Sequence, residues 1–140
     1  MEIRKLDLNA SAAPQIFPEE MEAVRAAGFR TVVNNRPDGE EPGQPAGEEI
    51  ERAARDAGLA YHFVPVGRDP LTAAQLDEMA DALAGNGPAL LFCRSGTRST
   101  TLWAFAEARR GRDISELVSL AAQAGYDLAP LEPALRQVAG

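Results

Sequence analysis

The sequence predicts an α/β fold in three layers, with a central, mainly parallel sheet flanked by helices. Two observations predict it. Short apolar or β-branched runs alternate along the chain with segments of helical periodicity. Several of those helical segments also end at a glycine that directly precedes the next apolar run, which is the order of a parallel β/α sheet. At 140 residues, of which 45% are hydrophobic, the chain is expected to form one domain over residues 1–140.

The first third of the chain supplies the first elements of this fold. Residues 3–8 alternate apolar and polar side chains and predict a strand, and residues 9–15 predict a turn followed by an edge strand. Proline and two glutamates at residues 18–20 open a helix that Gly28 ends. The β-branched run at residues 29–34 predicts a buried strand.

A proline-rich loop follows that strand, and the alternation then continues. Residues 35–45 contain three prolines and two glycines, so they predict a long loop, which in a small domain is often functional. A helix is expected over residues 46–57, a strand over residues 59–66 and a second loop over residues 67–71. Further helices are expected over residues 73–84 with Thr72 as N-cap, residues 99–110, residues 114–124 and within residues 127–140.

The stretch from Pro88 to Trp103 carries the strongest chemical signal. An apolar run over Ala89–Phe92 ends at Cys93, the only cysteine, and a short polar loop then leads into a helix. Backbone N–H groups at a helix start favour negative charge, so they stabilise a cysteine thiolate. The stretch therefore predicts a thiolate nucleophile in an anion cradle, whose anion-binding residues are Arg94, Ser95, Gly96, Thr97 and Arg98.

Two arginines near the cradle each have two interpretations. Arg94 either binds the anion or pairs with an acidic neighbour. Arg36, at the end of its predicted strand, either reaches the cradle or braces a glutamate of the proline-rich loop. The acidic run from Asp38 to Glu51 is typical of a solvated surface.

Composition argues against several classes of function. One cysteine and one histidine leave no disulfide and no metal site, and no cofactor is expected. A formal net charge of −7 disfavours nucleic acid and anionic membranes as partners, so a small anion is the expected substrate. No segment has the length and apolarity of a membrane span or a signal peptide, so a cytoplasmic location is expected.

The loop and its surroundings resemble a known family. Four residues lie between Cys93 and Arg98, one fewer than in the active-site loop of protein tyrosine phosphatases, and rhodanese sulfurtransferases also have a tighter loop. The segment T-V-V-N-N-R-P-D-G-E-E-P-G-Q-P, the strand with V-P-V and L-L-F-C-R-S-G-T-R-S together resemble the phosphatase-like domain of beta-lactamase-hydrolase-like proteins, over about residues 3–110. The resemblance implies a tyrosine-phosphatase-like fold, and some relatives carry a fused domain that handles persulfides, which implies a persulfide-handling partner enzyme.

The resemblance also implies roles for individual residues. Cys93 is expected to be the nucleophile, Arg98 the anion-binding arginine, and Ser99 a hydroxyl that helps the cysteine sulfur leave. A phosphatase needs a general acid as well. Chain order favours Asp69 as that acid, while the Pro-Asp spelling at Asp38 is also typical of an acid loop, and both remain open.

Three functions follow from these residues. The first hypothesis is a rhodanese-type sulfurtransferase working through a Cys93 persulfide, because the short ring suits a sulfur atom better than a phosphoryl group. The second is a tyrosine- or dual-specificity-like phosphatase working through a phosphocysteine. The third is a weakly active anion-binding module that binds sulfate or phosphate without turnover.

Overall fold

The computed structural model describes residues 1–140 and contains one five-stranded sheet. Its spatial order is β1-β2-β5-β3-β4, in which β1 is antiparallel to β2 and the other neighbours are parallel. The predicted mainly parallel sheet is thus confirmed. The strands are β1 (Arg4–Lys5), β2 (Ala10–Ala13), β3 (Thr31–Asn34), β4 (Ala60–Phe63) and β5 (Ala89–Phe92).

Six α-helices cover the two faces of this sheet. They are α1 (Met21–Ala26), α2 (Gly47–Asp56), α3 (Ala73–Leu83), α4 (Thr97–Arg109), α5 (Ile114–Gln123) and α6 (Glu132–Ala139), with 3-10 turns at Pro18–Glu20 and Ala129–Leu131. No helix combines the length and the apolarity needed to cross a membrane.

Alternating side chains of β5 divide the core into two layers. Leu90 and Phe92 pack with residues of α1 and α2, whereas Ala89 and Leu91 pack with residues of α3 to α6. This alternation is a consequence of strand geometry, and a strand buried on both faces must be apolar at every position. The helix–sheet–helix arrangement confirms the three predicted layers.

The position of β2 corrects one prediction from the sequence. Residues 9–15 predict an edge strand, but β2 lies between β1 and β5, all four of its residues are buried, and β1 and β4 form the edges. The small side chains of Ala-Ser-Ala-Ala give a weak strand signal. They also let α4 pack close against this part of the sheet.

Helix α4 begins two residues earlier than the sequence indicates. Its N-cap is Gly96, which has φ +94° and ψ −11° and therefore turns the chain from the loop directly into the helix. Arg98 and Ser99 consequently lie in the first turn of α4 rather than before it. The helix is buried along most of its length, which fixes the loop at its N-terminus against the sheet.

Candidate active site

Cys93 lies at the carboxyl edge of the sheet, where ligands bind in folds of this type. It follows β5 directly and precedes the loop that leads into α4. The proline-rich loop after β3 and the loop over residues 67–71 after β4 leave the same edge of the parallel sheet. The structure thus brings together the three loops that the sequence singled out.

The thiol of Cys93 is buried and faces hydrogen-bond donors. Its relative exposure is 0%, and the Gly96 N–H donates to its Sγ at 3.1 Å. The guanidinium of Arg98 is also near the thiol. The pKa of Arg98 is raised, first by its hydrogen bonds to Glu40 and then by the charge and hydrogen bonding of the Cys93 sulfur. The Cys93 sulfur therefore lies between a backbone amide and a fixed positive charge.

Four amides around the thiol donate no hydrogen bond within the protein. They belong to Arg94, Ser95, Arg98 and Ser99, and the last two are in the first turn of α4, where helical amides have no partner in the helix. The Thr97 N–H has only a long contact of 3.4 Å to Ser95 Oγ. Unpartnered amides converging at a helix start are the donor set that binds an anion.

Gly96 and Tyr126 fix the shape of this loop. A Cβ at Gly96 would overlap the Tyr126 hydroxyl, and the positive φ is itself unfavourable for other residues. The Tyr126 hydroxyl donates to the Ser95 carbonyl at 3.1 Å, and Thr100 Oγ1 donates to the Gly96 carbonyl at 2.8 Å. The Ser95 and Gly96 carbonyls are therefore occupied by these donors, while the Gly96 N–H is directed at the thiol.

Arg98 is oriented by two acceptors on its terminal nitrogens. Nη1 donates to Glu40 Oε2 at 2.7 Å and to the Val66 carbonyl at 2.8 Å, and Nη2 donates to Glu40 Oε1 at 2.8 Å. This end-on contact leaves the Nε edge of the guanidinium free of any carboxylate or carbonyl partner. Two parallel donors along that edge match two oxygens of an anion.

Glu40 connects Arg98 to a second arginine. Arg36 is 2% exposed and donates to Glu40 at 2.8 Å, to Glu41 at 2.9 Å and to Gln15 at 2.9 Å, so it braces the proline-rich loop rather than entering the cradle. The hydrogen bond from Arg98, opposed by partial burial and helped by Arg36, lowers the pKa of Glu40 to about 2. Glu40 is therefore a carboxylate at neutral pH.

Ser99 lies behind the cradle with a free hydroxyl. Its side chain is 0% exposed, and its Oγ makes no hydrogen bond within the protein. A buried hydroxyl without a partner is uncommon and costs stability. This side chain is therefore free to donate toward a charged sulfur or a bound anion.

The two candidate acids have different surroundings. The Asp38 carboxylate accepts a hydrogen bond from the Gly47 N–H at 2.7 Å, at the first turn of α2. Asp69 is exposed, makes no hydrogen bond or ion pair, and lies three residues beyond Val66, whose carbonyl contacts Arg98. The loop that contains Asp69 thus begins next to Arg98 of the cradle, whereas the Asp38 carboxylate caps the start of α2.

Arg94 is exposed and makes no hydrogen bond or ion pair through its side chain. Its backbone carbonyl accepts from the Gln15 N–H at 3.3 Å, which anchors the start of the loop. No group of three or more His, Cys, Asp or Glu side chains is arranged to hold a metal ion.

Sequence reasoning missed three residues of this site. Glu40 falls within the acidic run that is typical of a solvated surface, and Gln15 and Tyr126 lie in segments without a chemical signal. Glu40 is 58 positions from Arg98 and Tyr126 is 31 positions from Ser95, so no local pattern could reveal either pair.

Comparison of the sequence with known families gives one match over most of the chain. The family described as "Beta-lactamase hydrolase-like protein, phosphatase-like domain" matches residues 2–110. A beta-lactamase hydrolase-like protein of Xylella fastidiosa strain 9a5c is 40% identical over 130 residues, which cover 90% of this chain and 30% of that protein. The chain thus spans about 30% of the length of the curated relatives it matches.

Solved structures share the whole fold. A Neisseria meningitidis protein described as a candidate phosphatase superposes with a TM-score of 0.83 at 30% identity, covering 99% of both chains. A complex of P. aeruginosa TpbA with phosphotyrosine superposes with a TM-score of 0.64 at 15% identity, covering 96% of this chain and 83% of TpbA.

Proposed function

The chain belongs to the phosphatase-like domain family of beta-lactamase hydrolase-like proteins, and on that premise we propose that it is a phosphomonoester hydrolase acting through a phosphocysteine at Cys93. The family and the tyrosine-phosphatase-like fold are those of an enzyme with a cysteine nucleophile. The step from that class to phosphate ester hydrolysis is the proposal.

The donor set around Cys93 carries this proposal. Four amides without partners and the free Nε edge of Arg98 surround the thiol. A phosphoryl group in transfer spreads negative charge over three oxygens, each of which needs donors, whereas a sulfane sulfur needs few. Sulfur transfer, the first hypothesis from the sequence, also has no support from the comparisons, which favour the phosphatase alternative.

In the first step, the Cys93 thiolate attacks phosphorus and the ester P–O bond breaks. The amides and Arg98 hold the phosphoryl oxygens as charge shifts to the leaving oxygen. Asp69 in its acid form donates the proton that this oxygen takes up. The products are the free alcohol or phenol and a phosphocysteine.

In the second step, water attacks phosphorus and the S–P bond breaks. The Asp69 carboxylate accepts a proton from that water, and inorganic phosphate is released. The departing Cys93 thiolate is stabilised by the Gly96 N–H at 3.1 Å and by the free Ser99 hydroxyl. This chemistry needs no cofactor and no persulfide-handling partner.

Aryl phosphates are the proposed substrate class. The phosphotyrosine complex of the TpbA neighbour, with which this chain shares only the fold, motivates that choice. The formal charge of −7 disfavours large polyanions such as nucleic acid, so a small phosphate ester fits the acidic surface better.

Phosphate release from p-nitrophenyl phosphate and from phenyl phosphate tests the proposal. Wild-type protein should hydrolyse both, and Cys93→Ser should hydrolyse neither. Asp69→Asn should lower kcat/KM, which reports the first step, about 10²-fold on phenyl phosphate and much less on p-nitrophenyl phosphate, whose leaving group needs little protonation. Asp38→Asn is the matched control and should leave both rates unchanged, because Asp38 caps α2.

The same protein incubated with thiosulfate gives the opposing test. Intact mass should show no added sulfur on Cys93. Phosphate release that is absent from folded wild-type protein, together with a cyanide-labile sulfur on Cys93, would overturn the proposal in favour of sulfur transfer. Tight binding of inorganic phosphate without turnover of either ester would instead support the anion-binding module.

A further inference from the structure

A cleft of about 420 Å³ lies beside the cradle, and we call it the side cleft. Arg94 belongs both to the cradle loop and to the lining of the side cleft, so the two spaces adjoin. The side cleft is lined by Gln15, Phe17, Arg36, Glu41, Pro42, Gly43, Gln44, Pro45 and Arg94.

The side cleft is lined by two arginines, of which one is hydrogen-bonded within the protein through its guanidinium and the other is not. Arg36 is buried, and its three nitrogens donate to Gln15, Glu40 and Glu41. The exposed Arg94 guanidinium donates to no group of the protein. The hydrogen bond from Arg36 lowers the pKa of Glu41 and the charge of Arg94 also contributes, but no ion pair joins Arg94 to Glu41. The hydrogen-bond donors of the Arg94 guanidinium are therefore available to a ligand.

The position of Arg94 relative to the cradle limits what it can bind. Arg94 follows Cys93 directly, and the Gln15 N–H holds its carbonyl at 3.3 Å, so its backbone cannot move independently of the cradle. Arg94 lines the side cleft, whereas Cys93 does not. An anion bound by the Arg94 guanidinium is therefore separated from a phosphoryl group on Cys93 by about the length of an arginine side chain.

Part of the lining of the side cleft is apolar. Phe17 is 40% exposed, and Pro42 and Pro45 line the same cleft. An aromatic ring held against such surface is stabilised by burial of its faces. The side cleft thus offers apolar contacts to an aromatic ring.

We propose that the side cleft is a leaving-group subsite in which Arg94 binds a second anionic group, such as a carboxylate, on an aryl phosphate. This inference rests on the proposed phosphatase function, since it names the substrate class of the same site. It predicts selectivity for doubly anionic aryl phosphates over aryl phosphates without a second charge.

Calorimetry with inert phosphonates tests the subsite without turnover. The probes are phenylphosphonate and its meta- and para-carboxyl derivatives. Wild-type protein should bind the better carboxyl derivative about tenfold more tightly than phenylphosphonate, as expected for a charge-assisted hydrogen bond. Arg94→Met should abolish that preference. Arg52→Met, which removes another arginine without a partner from the surface of α2, should retain it.

The outcomes separate the two proposals. Equal affinity of the wild-type protein for all three phosphonates would overturn the subsite and leave the phosphatase proposal intact. A preference that survives in Arg94→Met would likewise overturn the role of Arg94. Binding of none of the three, together with no hydrolysis of aryl phosphates, would overturn both proposals.

Discussion

The two ends of α4 carry similar ion pairs that serve different purposes. At the N-terminal end, Arg98 pairs with Glu40 beside Cys93. At the C-terminal end, Glu107 pairs with Arg112 at the opposite edge of the sheet. Both are charge-assisted contacts of 2.7–2.9 Å between an arginine and a glutamate.

In the network at the C-terminal end of α4, the guanidinium of Arg112 is paired with three carboxylates. The Glu107 side chain is 5% exposed, and Arg112 donates to Glu107, Asp7 and Glu116 at 2.9, 2.8 and 2.7 Å. Its guanidinium carbon also lies 5.8 Å from the centre of the Trp103 ring. Burial opposes the charge, but the three carboxylates together raise the pKa of Arg112. This network ties the β1–β2 turn, α4 and α5 together.

In the network at the N-terminal end of α4, some hydrogen-bond donors of Arg98 are not taken up by a carboxylate. Glu40 occupies the terminal nitrogens of Arg98 and leaves its Nε edge free, next to four amides without partners. The difference shows that an ion pair alone does not mark a functional site. The donors that remain unused around the pair distinguish an anion site from a structural contact.

Apart from loss of the nucleophile itself, the largest expected effect is that of Gly96→Ala. The positive φ and the overlap with the Tyr126 hydroxyl should displace the loop, so kcat/KM should fall about 10²- to 10³-fold as the amides lose their alignment. Gly111→Ala is the matched control, since it has φ +99° but no atom within 4 Å of the added Cβ. It should cost about 1 kcal/mol of stability and leave activity unchanged. Equal activity losses in both variants would contradict a cradle-specific role for Gly96.

Glu107→Gln should affect stability alone. Removing one partner of a buried ion pair leaves Arg112 and Arg110 less compensated, so the free energy of unfolding should drop by about 2–3 kcal/mol and the Tm by roughly 10 °C. The kcat/KM of the folded enzyme should stay within about twofold of wild type. A large kinetic effect in this variant would mean that the two ends of α4 are coupled.

Glu40→Gln should lower activity and leave stability nearly unchanged. Arg98 would lose the carboxylate that orients it, so kcat/KM should fall about 10- to 50-fold while the free energy of unfolding changes by less than about 1 kcal/mol, because Glu40 is 29% exposed. Steady-state kinetics and chemical denaturation on the same preparation measure both quantities. A loss of stability comparable to that of Glu107→Gln would remove the contrast between the networks.

The small stabilising contribution of Glu40 should depend on pH. Its pKa is about 2 in the folded state, below its usual value of 4.5, so the contribution is present above about pH 4.5 and is lost as pH falls toward 2. The difference in Tm between wild type and Glu40→Gln should therefore shrink over this interval. A difference that stays constant from pH 6 down to about pH 2 would contradict the ion pair.

The smallest expected effect is that of Tyr126→Phe. Losing the hydroxyl leaves the Ser95 carbonyl without its donor, which should lower kcat/KM about threefold and stability by about 1 kcal/mol. Tyr61→Phe is the control: its hydroxyl bonds the Gly47 carbonyl at 3.2 Å, away from the cradle, so it should affect stability only. Identical kinetics for the two variants would mean that Tyr126 does not shape the loop.

The cradle was predictable because its signals are local. The apolar run of β5, the cysteine, and the polar loop before a helix occupy one short stretch, and the glycine that turns the loop is within it. The helix start itself was misplaced by two residues, because Gly96 caps α4 through a positive φ that the sequence does not display.

The surroundings of the cradle depend on contacts between distant segments. The position of β2 in the sheet follows from its pairing with β5, about 80 residues away, and not from its own alanine-rich sequence. In the same way, Asp38 has the Pro-Asp spelling of an acid loop, but the fold uses its carboxylate at the start of α2. Such assignments require the tertiary structure.

The most direct test of the account is the covalent state of Cys93 during turnover. Wild-type protein mixed with excess p-nitrophenyl phosphate, quenched in acid within milliseconds and weighed intact, should carry one phosphoryl group that maps to Cys93 and is absent from Cys93→Ser. Turnover with no phosphoryl group on Cys93 at any quench time, or a sulfur adduct on Cys93 as the only covalent species formed from thiosulfate or phosphate esters, would contradict it.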